Sequence, residues 1–202
     1  MLSPSATICF LGFSELGNIF GADLASRGCA VRSYVQLDSQ DSQAHILRQM
    51  QAAGVDAAPT LAAAVRGAKL VISTVGSMTA ATIARAAAAL LQPGQVFLEL
   101  NVLSPAIRRD NAAVISASGA LYMEGVIAEP PQLYRLATPL QLTGTRAVEL
   151  VLALNSLGFN ARAAGLEIGV LPEMTYYSST AIRGTTPDEA LAGIPAWRGE
   201  LP

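Results

Sequence analysis

The stretch TICFLGFSELG, residues 7–17, joins an apolar run to a glycine-containing turn and the start of an amphipathic segment. Residues Thr7–Phe13 are mostly apolar, with β-branched and aromatic side chains, and this pattern predicts a buried strand. From Glu15 to Arg27 apolar residues recur at intervals of three and four, which predicts a helix with one buried face. The stretch therefore predicts a strand, a glycine turn and a helix in direct succession.

The turn itself has the spacing of a degenerate G-x-G-x-x-G fingerprint, with Gly12 first, Ser14 in the middle and Gly17 last. In that fingerprint the first glycine makes the tight turn, the second lets the backbone approach a pyrophosphate, and the third lets the helix pack closely. Because Ser14 carries a side chain, phosphates must lie farther out or accept a hydrogen bond from its hydroxyl. The turn predicts dinucleotide binding, and a helix start that merely needs glycines is the alternative.

Strand and helix patterns alternate along most of the remaining chain, with connections of two to six residues. Further strands are predicted at Ala30–Gln36, Lys69–Val75, Gln95–Asn101, Leu121–Ala128 and Pro139–Thr143. Helical patterns lie between them, and one of these begins at Ser104-Pro105. This alternation predicts an α/β fold with a doubly wound, mostly parallel, Rossmann-like sheet, followed by a short C-terminal helical extension.

Composition limits the classes of function. The net charge is −2, 51% of residues are apolar and 14% are charged, without a block of like charges. We therefore expect an ordered protein with no nucleic-acid partner and no membrane partner. The longest stretch without charged residues, Leu70–Ala84, has 15 residues and is too short to span a bilayer. The N-terminus lacks the basic region of a signal peptide, which predicts a cytoplasmic protein.

Few residues are available for metal or thiol chemistry. Cys9 and Cys29 form no C-x-x-C pattern and have apolar neighbours, so we expect buried thiols in a reducing compartment. His45 is the only histidine, so we expect no metal site built from several histidines.

An acidic residue that holds the cofactor ribose is expected at the end of the second strand. Val35 and Gln36 lie at that end, and Asp38 is the nearest carboxylate, 21 residues after Gly17. Capping of a turn explains Asp38 equally well. The choice between NAD and NADP stays open.

Several segments in order, between Ala6 and Ile182, resemble the β-hydroxyacid dehydrogenase superfamily, which includes the 6-phosphogluconate and 3-hydroxyisobutyrate dehydrogenases. These segments are ICFLGFSELG, AVRGAKLVISTV, LLQPGQVFLELNVLSP, ALYMEGVIAEPP and PLQLTG. The resemblance implies an NAD(P)-dependent oxidoreductase acting on a small-molecule substrate, namely a hydroxy acid, a carbonyl compound or an imine. It places NAD or NADP against Gly12, Phe13, Ser14, Glu15, Leu16, Gly17, Val75 and Gly76. It places the substrate near Asn101, Ser104 and the loop Glu124–Pro131.

The chain departs from this family at the catalytic lysine, whose place is taken by Glu173. Lys69 is the only lysine, and it lies at the beginning of its predicted strand, away from the edge where ligands bind. Proton transfer then requires Glu173, Tyr176 or Tyr177. The alternatives are a non-catalytic, regulatory NAD(P)-binding protein or a fragment.

The resemblance also concerns domain organisation, because family members add a helical domain that is expected to complete the cleft and usually the dimer. Only about 20 residues follow Ile182. We divide the chain into an NAD(P)-binding domain, 1–165, and a truncated helical extension with a tail, 166–202. A predicted helix from about Glu173 to Arg183 could pair with a second copy as a homodimer.

Overall fold

The computed structural model describes residues 6–36, 40–127 and 129–171. The strands are β1 (Thr7–Leu11), β2 (Ala30–Tyr34), β3 (Asp56–Ala57), β4 (Leu70–Ser73), β5 (Val96–Glu99), β6 (Leu121–Ile127), β7 (Pro139–Thr143) and β8 (Asn160–Gly165). The helices are α1 (Glu15–Ser26), α2 (Gln40–Ala52), α3 (Leu61–Val65), α4 (Ser77–Ala88), α5 (Pro105–Ala117), α6 (Pro131–Tyr134) and α7 (Ala147–Ser156). A 3₁₀ turn, Arg135–Ala137, follows α6.

All eight strands form one sheet in the order β3-β2-β1-β4-β5-β6-β7-β8. Strands β1 to β6 are parallel, in the order 3-2-1-4-5-6 that characterises dinucleotide-binding sheets. Strand β7 is antiparallel to β6 and parallel to β8. The prediction of a doubly wound, mostly parallel sheet is confirmed, and β1 lies near its middle.

The antiparallel direction of β7 follows from the short connection between β6 and β7. Only 11 residues separate Ile127 from Pro139. A parallel crossover needs a dozen or more residues, usually including a full helix, so the chain returns in the opposite direction. The four-residue helix α6 and the 3₁₀ turn fill this connection. Arg135 of that turn donates to Asp23 Oδ1 of α1 at 2.9 Å and 2.5 Å, which fixes the connection against the first helix.

Two hydrophobic clusters cover the two faces of the sheet, because alternate strand residues point to opposite sides. Ile8 and Phe10 belong to the cluster under α1, α2 and α7, where Phe20 and Phe159 meet edge to face at 5.6 Å between ring centroids. Cys9 and Leu11 belong to the cluster under α3, α4 and α5.

Both cysteine thiols are free and buried in the structure. Burial raises the pKa of the Cys9 thiol to about 12, so this thiol stays protonated at neutral pH. None of the described helices is both long enough and apolar enough to cross a bilayer.

Candidate functional site

The turn after β1 requires glycine at position 12. The Gly12 N–H donates to the Tyr34 carbonyl at 2.9 Å, and the residue has a φ of +91°. A Cβ at this position would lie 2.7 Å from the carbonyl oxygen of Thr74. The chain therefore passes so close to the end of β4 that no side chain fits.

A cavity of about 300 Å³ opens beside this turn. Its described lining comprises Gly12, Phe13, Ser14, Tyr34, Val35, Gln36, Thr74, Val75, Thr79, Thr82 and Ile83. Tyr34 ends β2, and the other residues follow β1, β2 or β4 or lie on the first turns of α4, so the cavity lies at the carboxyl ends of the parallel strands. Ligands of doubly wound sheets bind at this edge, where the strand order reverses. In this sheet the reversal lies between β1 and β4.

The first turn of α1 offers hydrogen-bond donors to an anion. Ser14 is its N-cap residue, it is exposed, and its side chain makes no capping hydrogen bond. Its carbonyl accepts the first helical bond, from Asn18 N at 2.9 Å, so the N–H groups before Asn18 have no partner within the helix. The N–H groups at the start of a helix and the positive end of the helix dipole favour a phosphate at this position.

The one acidic residue in this first turn faces elsewhere. The Glu15 carboxylate accepts a hydrogen bond from the side-chain amide of Gln132 on α6. This contact holds the negative charge toward the β6–β7 connection, and Glu15 is not part of the described cavity lining. The charge of Glu15 therefore does not occupy the place where a phosphate would lie.

The structure brings together half of the cofactor residues predicted from the sequence. Gly12, Phe13, Ser14 and Val75 line the cavity, whereas the described lining does not include Glu15, Leu16, Gly17 and Gly76. The Gly76 N–H instead donates to Asn101 Oδ1 at 2.7 Å. Contacts of any of the eight with NAD or NADP stay a prediction.

Sequence reasoning missed the wall formed by Tyr34, Thr74 and the first two turns of α4. Thr79, Thr82 and Ile83 face the cavity from that helix, and the Thr79 hydroxyl donates to the Val75 carbonyl at 3.0 Å. The hydrophobic period of the segment marks its buried side. It gives no signal for the residues at the border between core and cavity.

The two residues predicted to orient a substrate already have partners within the protein. Asn101 is buried, and its Nδ2 donates to Ser73 Oγ at 2.8 Å and to the Glu99 carboxylate. Ser104 is the N-cap of α5, where its Oγ accepts from Ile107 N at 3.5 Å. Substrate contact by either residue stays a prediction.

The predicted substrate loop Glu124–Pro131 begins inside a strand. Glu124 is fully buried in β6, and its carboxylate forms an ion pair with the buried guanidinium of Arg108 from α5. Its Oε2 also accepts from Gly169 N at 2.6 Å, and Arg108 Nη1 donates to the Leu171 carbonyl at 3.3 Å. Glu124 therefore ties α5 to residues 169–171.

Glu99 is a second buried acid, and its Cα is the register partner of the Glu124 Cα on the next strand. Burial raises the pKa of the Glu99 carboxyl above its usual range. Hydrogen bonds from Asn101, Ser73 and Asn111 oppose part of this rise. The Glu99 carboxyl and the groups that donate to it therefore satisfy one another's hydrogen bonds in the protein interior.

The hydroxyl of Tyr122 is buried near Glu99 and Glu124 and has no hydrogen-bond partner among the described residues. Its ring stacks on Phe97 with 6.0 Å between centroids. Burial raises the pKa of the Tyr122 hydroxyl, and the charges of Glu99 and Glu124 raise it further. The hydroxyl is therefore neutral and uncompensated.

We expect Tyr122→Phe to stabilise the protein by about 1 kcal/mol, because it removes a buried polar group without opening a cavity. Urea unfolding of both proteins, followed by circular dichroism, measures the difference. A loss of stability would show that the hydroxyl has a partner, such as a bound water.

Lys69 directly precedes β4, at the amino ends of the parallel strands. It lines a smaller cavity of about 130 Å³ together with Arg146 and Glu149, at the edge opposite the Gly12 turn. Its predicted position away from the ligand-binding edge is confirmed.

Several predicted residues lie outside the described part of the chain. These are the proton-transfer residues Glu173, Tyr176 and Tyr177, with the helix predicted to carry them, and Asp38.

No protein-family model matches the sequence, and no curated protein matches it. The structure is similar to that of a conserved hypothetical protein from Sinorhizobium meliloti 1021, with 26% identity, a TM-score of 0.77, and coverage of 81% of this chain and 55% of the other. It is also similar to 3-hydroxyisobutyrate dehydrogenase from Mycobacterium tuberculosis with L-serine, with 20% identity, a TM-score of 0.68, and coverage of 82% and 56%.

A third similar structure is a reductive aminase from Aspergillus terreus in complex with NADPH and ethyl levulinate, with 19% identity, a TM-score of 0.68, and coverage of 82% and 57%. The chain spans less than two thirds of the length of each of these structures. Strand order and glycine turn together define an α/β fold of the NAD(P)-binding Rossmann type. More particularly, it is the fold of the 3-hydroxyacid dehydrogenase-like proteins and imine reductases, so the resemblance seen in the sequence is confirmed at the level of fold.

Proposed function

We propose that the chain binds NAD or NADP in the cavity beside the Gly12 turn. The observation that carries this proposal is the cavity at the reversal of strand order, bordered by a turn where only glycine fits. The Ser14 hydroxyl, which makes no capping hydrogen bond, and the N–H groups of the first turn of α1 would hold the pyrophosphate. Tyr34, Gln36 and Thr82 also line the cavity and would contact the adenosine.

The reaction proposed for the bound cofactor is hydride exchange with a small hydroxy acid, carbonyl compound or imine. Similar solved structures include a 3-hydroxyisobutyrate dehydrogenase and imine reductases, which supports this reaction class. The nicotinamide would supply or accept the hydride. Of this chain's own residues, Ser104 and Asn101 would orient the substrate, and Glu173 would transfer the proton.

A non-catalytic NAD(P)-binding role is the second candidate. It is favoured by the position of Lys69, because the single lysine of the chain lies at the amino ends of the strands and cannot reach the cofactor edge. Asn101 also has its amide engaged by Glu99, Ser73 and the Gly76 N–H.

Cofactor binding is tested by titrating NADH and NADPH against the protein and following reduced-nicotinamide fluorescence. In the wild type we expect saturable binding of at least one of the two. Ser14→Asp keeps a good N-cap residue but places a negative charge beside the pyrophosphate, so affinity should fall about tenfold or more. Thr60→Asp is the matched control, since Thr60 is the exposed N-cap of α3, away from the cavity.

The control should bind as the wild type does. Absence of binding in the millimolar range would overturn the proposal, and equal affinities of wild type and Ser14→Asp would overturn the phosphate position.

Turnover separates the two candidate functions. Hydroxy acids, ketones and cyclic imines are screened with the cofactor that binds, and Glu173→Gln is assayed beside the wild type. We expect the variant to lose activity by about 10²-fold or more if Glu173 transfers the proton. Binding without turnover of any compound favours the non-catalytic role. Light scattering on the same samples tests the predicted homodimer.

A further inference from the structure

A buried carboxylate lies next to the proposed cofactor site without touching it. Glu99 ends β5 and is 1% exposed, and β4 lies between it and the strand that leads into the Gly12 turn. A buried carboxylate is costly unless hydrogen bonds compensate it, so its set of donors is informative. Those donors lead directly to the loop between β4 and α4.

Four groups donate to this carboxylate. Asn101 contributes its N–H at 3.3 Å and its side-chain Nδ2. Asn111 Nδ2 donates to the other carboxylate oxygen at 3.2 Å, and the Ser73 hydroxyl also bonds to Glu99. A carboxylate only accepts hydrogen bonds, so each neighbour must present a donor to it.

This requirement determines which way the Asn101 amide points. The Nδ2 group must face Glu99 and Ser73, and the Oδ1 atom is therefore left to face the opposite side. On that side it accepts the Gly76 N–H at 2.7 Å. With the amide reversed, two N–H donors would face each other at Gly76, and Glu99 would face an oxygen.

Gly76 is the N-cap of α4, and Val75 and Thr79 on either side of it line the cavity. The bond from Gly76 to Asn101 therefore fixes the start of the helix that forms one cavity wall. We propose that Glu99 is a positioning residue for NAD(P): through the Asn101 amide it holds the β4–α4 loop in the geometry that binds the cofactor. This inference rests on the proposed function.

The test compares two substitutions at Glu99. Glu99→Met fills the space but removes the acceptor, so the Asn101 side chain is held less firmly at the Gly76 N–H. We expect NADPH affinity about tenfold lower, and stability should also fall because the buried donors of Asn101, Asn111 and Ser73 lose their acceptor. Glu99→Gln keeps an acceptor oxygen for Asn101, and affinity should return to within about threefold of the wild type.

Gln95→Met is the matched control beside the same strand. Gln95 is buried at the amino end of β5, and its amide donates to the carbonyls of Val65 and Ala68 at 2.8 Å and 2.6 Å. This variant should lower stability and leave NADPH affinity unchanged.

A second readout works without any cofactor. Hydrogen exchange of the Gly76 amide, measured by NMR, should be about tenfold or more faster in Glu99→Met than in the wild type and unchanged in Gln95→Met. Faster exchange without NADPH binding by the wild type would contradict the proposed function and support the positioning by Glu99. Unchanged exchange and unchanged affinity in Glu99→Met would overturn the inference, as would equal losses in Glu99→Met and Glu99→Gln.

Discussion

Gly12→Ala is expected to abolish NADPH binding and to lower the free energy of unfolding by about 3 kcal/mol. Alanine must adopt a φ near +91°, which costs about 1–2 kcal/mol. Its Cβ would also lie 2.7 Å from the Thr74 carbonyl oxygen, so the turn must move away from β4. Since Gly12, Thr74 and Val75 line the same cavity, this movement changes the place where the cofactor is held.

Gly28→Ala separates the two causes. Gly28 has a φ of +85°, but a Cβ there has nothing within 4 Å, so the variant has the backbone cost without the collision. We expect a loss of about 1–2 kcal/mol and unchanged NADPH affinity. Both variants are measured by urea unfolding and by fluorescence titration at low temperature, where circular dichroism verifies that they are folded.

A folded Gly12→Ala protein that binds NADPH as tightly as the wild type would contradict the assignment of the cavity. Equal losses of stability in the two variants would show that the turn yields to a side chain more easily than the geometry indicates.

The sequence predicted the fold best where each element has its own local pattern of residues. The segment from Thr7 to Gly17 predicts strand, turn and helix because each has its own signal, and the turn lies where that signal places it. Strands β3 and β8 were missed because Asp56–Ala57 has two exposed residues and Asn160–Gly165 has no β-branched or aromatic residue. Both strands depend on pairing with a neighbour, which no local pattern reveals.

The candidate site was predictable in its glycine turn and much less so in its polar contacts. The bond between Asn101 and Gly76 joins residues 25 positions apart, and it exists because β4 and β5 are neighbours in the sheet. Glu124 was expected beside the substrate from the resemblance. Its partner Arg108 lies on α5, the helix that precedes β6, and the ion pair depends on how α5 packs on β6. Such contacts follow from the fold and have no signal of their own.

The ion pair between Arg108 and Glu124 gives the second large expected effect. Both side chains are almost completely buried, at 2% and 1% exposure. Arg108→Met leaves the Glu124 charge buried without its guanidinium, and we expect a loss of about 3–5 kcal/mol in the free energy of unfolding. The variant also removes the donor to the Leu171 carbonyl, so proteolysis within residues 166–171 should become faster.

The double variant Arg108→Met with Glu124→Gln should recover much of this loss, because no charge is then buried and the introduced amide oxygen can still accept from Gly169 N. Arg146→Met is the control, since the Arg146–Glu149 pair is exposed, and it should leave the urea midpoint unchanged. If Arg108→Met unfolds at the midpoint of the control, the guanidinium does not compensate Glu124. Suppose instead that the double variant is no more stable than Arg108→Met even though the Glu124 charge has been removed. In that case the lost stability comes from the packing of the arginine side chain and not from an uncompensated charge.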